Sequence, residues 1–208
     1  SENGEVRRLS SGATVTVGRS EKMSKSRKNV VDPEDIIERY GADTARWFML
    51  SDSPPERDLE WTDAGIEGAW RFTQRIWRIA QASLEGQEDV PDQIPTEFSD
   101  EALEQRRRTH KAIAAVTDGI ERFHFNTAVA QLYSLANSLG GFSPVSPADR
   151  WVQREAIESL VVMLGPMMPH LAEEIWQQLG YSTLVSDAAW PVADTALLQE
   201  DTVTIAVQ

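Results

Sequence analysis

Between Thr62 and Glu85, side chains fit for burial return every three or four residues, at Ile66, Ala69, Trp70, Thr73, Ile76, Trp77, Ala80 and Leu84. That spacing follows the 3.6-residue turn of an α-helix, not the two-residue alternation of a strand. A helix with one apolar stripe needs other helices to cover it, and the sequence supplies them. Ser99 can cap a helix over about 100–122. Phe125, Ala128, Val129, Leu132, Leu135, Ala136 and Leu139 share one side of the next, which Gly140-Gly141 ends. Ser146, with Pro147 at the first helical position, opens another that carries Trp151, Ala156, Ile157, Leu160, Val161 and Leu164. After Gly165-Pro166 and Pro169, a helix from Leu171 to Leu179 closes the series. Short connections between such helices predict an up-and-down bundle.

The N-terminal part reads differently. Val6-Arg7-Arg8-Leu9 and Thr14-Val15-Thr16-Val17 flank Ser10-Ser11-Gly12-Ala13, a hairpin pattern. A polar loop at 20–31 follows. Asp32 and Pro33 then start a helix to Tyr40, Gly41 stops it, and another runs from Ala42 to Ser51. Residues 86–98, with Gly86, Pro91, Pro95 and several acids, read as a mobile linker, and Val203-Thr204-Ile205-Ala206-Val207 alternates like a strand. The expected fold is mainly α: a helical bundle with a short strand-containing N-terminal piece. Three parts are expected: 1–61 with the loop and connecting helices, 62–190 as the bundle, and 191–208 as a linker and the first strand of a truncated C-terminal domain. No alternating strand–helix pattern exists to build a doubly wound sheet.

Composition narrows the function classes. No apolar run approaches a membrane span, and the acidic start Ser1-Glu2-Asn3-Gly4-Glu5 is unlike a signal peptide. The chain has no cysteine, which excludes disulfides and thiolate chemistry and fits the cytoplasm. A net charge of −13 weighs against nucleic acid, but the charge is unevenly spread. Residues 1–31 carry seven basic and three acidic side chains, and residues 105–126 carry five and two. Phosphate contact depends on local patches, so RNA remains an eligible partner.

Lys22-Met23-Ser24-Lys25-Ser26 packs two ammonium groups and two hydroxyls into one short loop, with Arg27 and Lys28 directly after. This donor inventory suits a polyphosphate: Lys25 can meet charge that builds as a phosphate bond breaks, and the serines can donate to phosphate oxygens. A solvated basic loop is the plain alternative. The loop runs on into Asn29-Val30-Val31-Asp32-Pro33-Glu34-Asp35-Ile36-Ile37 and Tyr40-Gly41-Ala42-Asp43-Thr44-Ala45-Arg46. Together these resemble the second signature of class I aminoacyl-tRNA synthetases, the loop that closes over ATP. Ser53-Pro54-Pro55-Glu56-Arg57-Asp58-Leu59-Glu60-Trp61 followed by Gly65-Ile66-Glu67-Gly68-Ala69-Trp70-Arg71-Phe72 is similar to the leucine-specific branch. So are Phe123-His124-Phe125-Asn126-Thr127-Ala128, Met168-Pro169-His170-Leu171-Ala172-Glu173-Glu174-Ile175-Trp176 and Ala189-Trp190-Pro191.

The resemblance implies a piece of an ATP-dependent ligase that forms leucyl-adenylate and transfers leucine to tRNA-Leu. In that piece Lys25 and Lys22 act on the phosphates of ATP, accompanied by Mg²⁺, and Met23, Ser24 and Ser26 shape the loop. The helical bundle corresponds to the domain called anticodon-binding, and it is expected to hold the body of tRNA. The first class I signature (His, apolar, Gly, His) fits around none of His110, His124 and His170, so the piece is expected to be inactive alone. Two alternatives stay open: the same piece of a valine or isoleucine enzyme, or a non-catalytic helical tRNA-binding module. No DNA or membrane partner is expected.

Arg71, Arg75 and Arg78 fall on one helix face with no acid between Glu67 and Glu85, a candidate tRNA contact. Arg106 and Arg107, with Arg108 and Lys111, form a second candidate, although Asp100, Glu101 and Glu104 can pair with it. Trp70, Trp77, Trp151 and Trp176 are expected in the core, and His110 as a buried structural residue. Glu173 and Glu174 read as acids at a helix start. Neither a metal site nor a nucleophile–base pair is evident.

Overall fold

The three longest described helices start at side-chain caps. Thr62 accepts from the Gly65 N–H at 3.1 Å, and Ser99 from the Ala102 N–H at 3.1 Å. Ser146 and Asp149 form a reciprocal capping box, with Pro147 at the first helical position. The computed structural model describes residues 6–7, 10–15 and 21–199. The expected strand at Val203–Val207 lies outside these residues. The chain divides into two units, residues 1–35 and 36–208.

In the first unit, β1 (Val6–Arg7) and β2 (Thr14–Val15) pair antiparallel, with Val6 opposite Val15 and Arg7 opposite Thr14. Gly12 between them takes a left-handed φ of 67°. This is the hairpin read from the sequence, as far as the described residues reach. The lysine loop follows it.

The helices are α1 (Pro33–Tyr40), α2 (Ala42–Asp52), α3 (Asp63–Leu84), α4 (Asp100–Glu121), α5 (Phe125–Gly141), α6 (Pro147–Leu164) and α7 (Pro169–Gln178). The expected boundaries hold within a few residues. Gly140 and Gly141 lie inside the last turn of α5, and α7 begins at Pro169, because a proline at the first helical position sacrifices no hydrogen bond.

The bundle of the second unit is built on α6, whose Val152, Ala156, Ile157, Leu160, Val161, Met163 and Leu164 are all fully enclosed. Leu132, Leu135 and Ala136 of α5, Ile113 and Val116 of α4, and Ile66 and Ile76 of α3 complete the main core. Trp47 stacks on Phe72 with ring centroids 4.7 Å apart and donates its indole N–H to the Tyr133 hydroxyl at 2.9 Å, tying α2 to α3 and α5. Asp43, 7% exposed, accepts from the Leu171 N–H at 2.7 Å and bonds His170 Nδ1 at 2.9 Å, so α2 caps the start of α7.

On α3 the buried positions are Ile66, Ala69, Phe72, Ile76, Ala80 and Ser83. Phe72 and Ser83 fall outside the expected stripe, and Trp70, Trp77 and Leu84 are only half-buried. The stripe sits a little round the helix, because Phe72 is drawn inward by its stack with Trp47. Trp151 is likewise half-buried, whereas Trp176 is in the core. The 86–98 segment contains a turn of 3-10 helix at Gln87–Asp89 and ends with Phe98 against Trp151. Glu173 lies past the first turn of α7, where it accepts from the Val185 and Ser186 N–H groups and fixes the chain after that helix. No described helix is long and apolar enough to cross a membrane.

Candidate functional site

Lys22 to Asn29 forms a wound loop with almost every side chain at the surface. Ser24 caps a turn of 3-10 helix at Lys25–Arg27: its Oγ accepts from the Arg27 N–H at 3.3 Å and lies 3.2 Å from Ser26 Oγ. Lys28 leaves the turn in left-handed backbone, φ 53° and ψ 34°, and donates its N–H to the Lys25 carbonyl at 3.2 Å. Asn29 then reaches back. Its Oδ1 accepts from the Ser24 N–H at 2.8 Å and its Nδ2 donates to the Lys22 carbonyl at 3.4 Å.

Arg27 is paired with Glu21 at 2.6 Å, whereas neither Lys22 nor Lys25 has an ion-pair partner among the described residues. The loop thus keeps two exposed ammonium groups free on a turn whose backbone is tied. An anion with several charged oxygens matches that arrangement. Asn29 is the loop residue that sequence reasoning misses. The signal available is an amide side chain directly after a basic loop.

The α3 arginines separate in role. Arg71 and Arg78 are exposed or nearly so, and neither is in an ion pair among the described residues. Arg75 hydrogen-bonds the Asn137 side chain of α5. Arg75 and Arg78 flank a cleft of about 360 Å³ with Ile79, Leu139 and Gly140, and Arg78 also borders one of about 440 Å³ with Trp70 and Trp77. The half-exposed indoles therefore sit beside the free arginine, a placement that differs from the core position expected for Trp70 and Trp77.

The second basic cluster is not laid out as expected. Arg106 turns inward. Its guanidinium pairs with Glu155 at 2.9 and 3.1 Å and lies against the rings of Phe98 and Trp151, 4.8 and 5.2 Å from their centroids. With its side chain 12% exposed, it offers no fork to an outside phosphate. Arg108 pairs with Glu104 at 2.9 Å, as the sequence allows, and half-buried Arg107 and Lys111 have interactions of their own.

His110 is buried. Its Nδ1 accepts from the Asp194 N–H at 3.0 Å and its Nε2 faces Glu155 at 3.3 Å, so the neutral ring must carry its proton on Nε2. Burial acts to raise the Glu155 carboxyl, but hydrogen bonds from His110 and Arg106 and the Arg106 charge outweigh it and hold Glu155 below the usual carboxylate range. Arg106, His110 and Glu155 together join α4, α6 and the chain at Asp194. Among the described residues no cluster of His, Asp or Glu could hold a metal.

The chain thus carries a row of arginines on a helical bundle and a tied lysine–serine loop. Family models define its class. That for the anticodon-binding domain of tRNA ligases matches residues 104–208, and that for class I tRNA synthetases (I, L, M and V) matches residues 8–62. The chain belongs to the anticodon-binding domain family of tRNA ligases. More particularly, it is similar to leucine–tRNA ligases: 57% identical over 98% of its length to that of Parvibaculum lavamentivorans, and 56% over 99% to that of Paramagnetospirillum magneticum. It covers 23% and 24% of those two proteins, so it spans just under a quarter of the curated relatives it matches. Among solved structures, a LeuRS–tRNA–LeuAMS ternary complex of Agrobacterium radiobacter K84 matches 86% of this chain and 23% of that one, at 30% identity and a TM-score of 0.72. A methionyl-tRNA synthetase of Mycobacterium tuberculosis in its free state shares the fold, with a TM-score of 0.60 over 74% of this chain and 35% of that one, at 20% identity. The leucine-type resemblance read from the sequence agrees with these relatives.

Proposed function

We propose that this chain serves as the part of a leucine–tRNA ligase that completes the ATP site and docks tRNA-Leu. The observation that carries the proposal is the lysine loop: a tied backbone with the Lys22 and Lys25 ammonium groups unpaired. In the reaction the leucine carboxylate attacks the α-phosphorus of ATP, leucyl-adenylate forms, and pyrophosphate leaves. Lys25 stabilises the charge that develops on the α-phosphate and on the departing pyrophosphate, and Lys22 holds the outer phosphates. Ser24 and Ser26 are structural donors of the loop, with Met23 beside them. Mg²⁺ bound beside the phosphates of ATP would supply further charge neutralisation there. The amino-acid pocket and the nucleotide-binding sheet belong to other parts of such a ligase, so residues 1–208 alone are expected to be inactive. The proposed compartment is the cytoplasm.

Residues 1–61 are read as the end of the catalytic domain, 62–190 as the tRNA-binding bundle, and 191–208 as the start of a further domain. The class I family match ending at residue 62 supports the first boundary. For tRNA we assign Arg71, Arg75 and Arg78, supported by their shared face and by the lack of acidic partners among the described residues, with Arg107 and Lys111 as secondary contacts. Arg106 is left out because Glu155 holds it. The leucine assignment over valine or isoleucine is supported by the two leucine–tRNA ligases similar across nearly the whole chain.

The test is Lys25→Ala in a full-length ligase carrying this sequence. Leucine-dependent ATP–pyrophosphate exchange is expected to slow by about 10²-fold or more, the usual effect of removing one charge-stabilising donor, with tRNA-Leu affinity almost unchanged. Equal losses in both refute the role given to Lys25.

A further inference from the structure

In an exposed loop the groups that act on a ligand are only as well placed as the backbone that carries them. Within 21–31, one side chain makes two ties to that backbone. Asn29 accepts from the Ser24 N–H at 2.8 Å and donates to the Lys22 carbonyl at 3.4 Å, spanning five and seven residues. The two groups it holds flank Met23, one on each side. Ser24, fixed in this way, caps the Lys25–Arg27 turn through its Oγ. The left-handed turn at Lys28 directs the chain back so that residue 29 can reach.

We propose that Asn29 is a positioning residue of the phosphate loop: its amide clasps the main chain at Lys22 and Ser24 and so presets the positions from which the Lys22 and Lys25 ammonium groups meet the phosphates. The proposal rests on the phosphate reading above. The chemistry of the side chain carries it. Asparagine has an acceptor and a donor on one planar group, whereas a carboxylate of the same length has acceptors only. An aspartate here keeps the bond from the Ser24 N–H, gives up the bond to the Lys22 carbonyl and adds negative charge beside the intended anion. Holding the loop ends together also removes closure entropy that ATP binding must otherwise supply. The Glu21–Arg27 ion pair is a second tie, but both partners are more than half exposed and salt screens it.

The experiment uses the full-length ligase with Asn29→Ala, Asn29→Asp and, as a reference, Lys25→Ala. Two quantities are read. One is kcat and the KM for ATP in leucine-dependent pyrophosphate exchange. The other is the rate of tryptic cleavage after Lys22, Lys25, Arg27 and Lys28 without ATP, with the melting temperature as a control for the fold. Asn29→Ala is expected to lower kcat about tenfold or more, as misplacement of a catalytic group does, with KM changing far less. Its loop cleavage is expected to accelerate several-fold at an unchanged melting temperature. Asn29→Asp is expected to be cleaved at an intermediate rate, because it keeps the shorter bond. Wild-type cleavage in Asn29→Ala overturns the clasp. Faster cleavage with wild-type kcat makes Asn29 a structural tie only and overturns its positioning role. If Lys25→Ala also leaves exchange intact, the phosphate reading itself has failed, which the cleavage rates do not depend on.

Discussion

Glu155 shows how one residue can decide the role of several others. Its carboxylate takes up Arg106 and faces His110, whose other nitrogen holds the Asp194 N–H. By sequence alone, Arg106 belongs to a basic run that can meet RNA or pair with Asp100, Glu101 and Glu104 of its own helix. Its partner lies 49 residues further on in another helix, and no local spacing rule points to it. The buried histidine is legible from its register on α4, but its two partners are not, for the same reason. Replacing Glu155 with Gln leaves the Arg106 charge enclosed and unpaired, which costs about 3 kcal/mol or more at neutral pH. For a chain of this size that is a fall of roughly 6–12 °C in melting temperature. The pH dependence has a definite sign. A carboxyl held below its ordinary value of 4.5 contributes stability in full above that value and loses it as pH falls through the folded value. The gap between wild type and Glu155→Gln is therefore expected to narrow as melting curves are taken below about pH 4.5. A gap constant with pH rules out the ion pair as its source.

At the scale of elements, helix identity and ends are almost fully legible, because caps and prolines are local signals: Thr62, Ser99, Ser146 and Pro147 each mark a start that the structure contains. The inward face of α3 is less so. Phe72 is buried by its stack with Trp47 and its packing on Tyr133, residues of other helices, and this leaves Trp70 and Trp77 at the margin. The start of α3 lies very close to α2. A Cβ on Gly65 would stand 2.4 Å from Phe48 Cε2 and 2.8 Å from Thr62 Oγ1. Phe48 is itself 3% exposed and packs edge-on to Trp61 at 5.1 Å, so its ring has little room to move. Gly65→Ala is expected to destabilise the chain by about 1–3 kcal/mol through overpacking, despite the better helix propensity of alanine. Chemical denaturation with an unchanged m-value would show the loss. An alanine variant as stable as wild type means that α2 and α3 separate more easily than their packing implies.

For the whole molecule the question is whether a net charge of −13 is compatible with the proposed grip on a polyanion. The acids are concentrated elsewhere: residues 87–104 carry seven acidic and no basic side chains, and residues 151–208 eight and one. On α3, by contrast, Arg71 and Arg78 have no ion-pair partners among the described residues, and Arg75 bonds the neutral Asn137 side chain. Local potential at this face can then be positive although the total is not. The sequence makes the arginine row visible through its spacing. It cannot show the clefts between the row, Trp77 and Gly140, which depend on where α5 and α7 lie. Binding to phosphates releases counterions, so the number of phosphates held is read from how affinity falls with salt, whatever the protein's net charge. In a full-length ligase, Arg71→Ala with Arg75→Ala is expected to weaken tRNA-Leu binding. It should also make the slope of log affinity against log salt shallower by about one unit for each phosphate no longer held. Leucyl-adenylate formation, measured by pyrophosphate exchange without tRNA, should stay near wild type, because the proposed function gives RNA to these residues and ATP to the lysine loop. An unchanged salt slope returns the arginines to a solvated face, and a loss of exchange equal to the loss of tRNA binding shows that the bundle itself has been damaged.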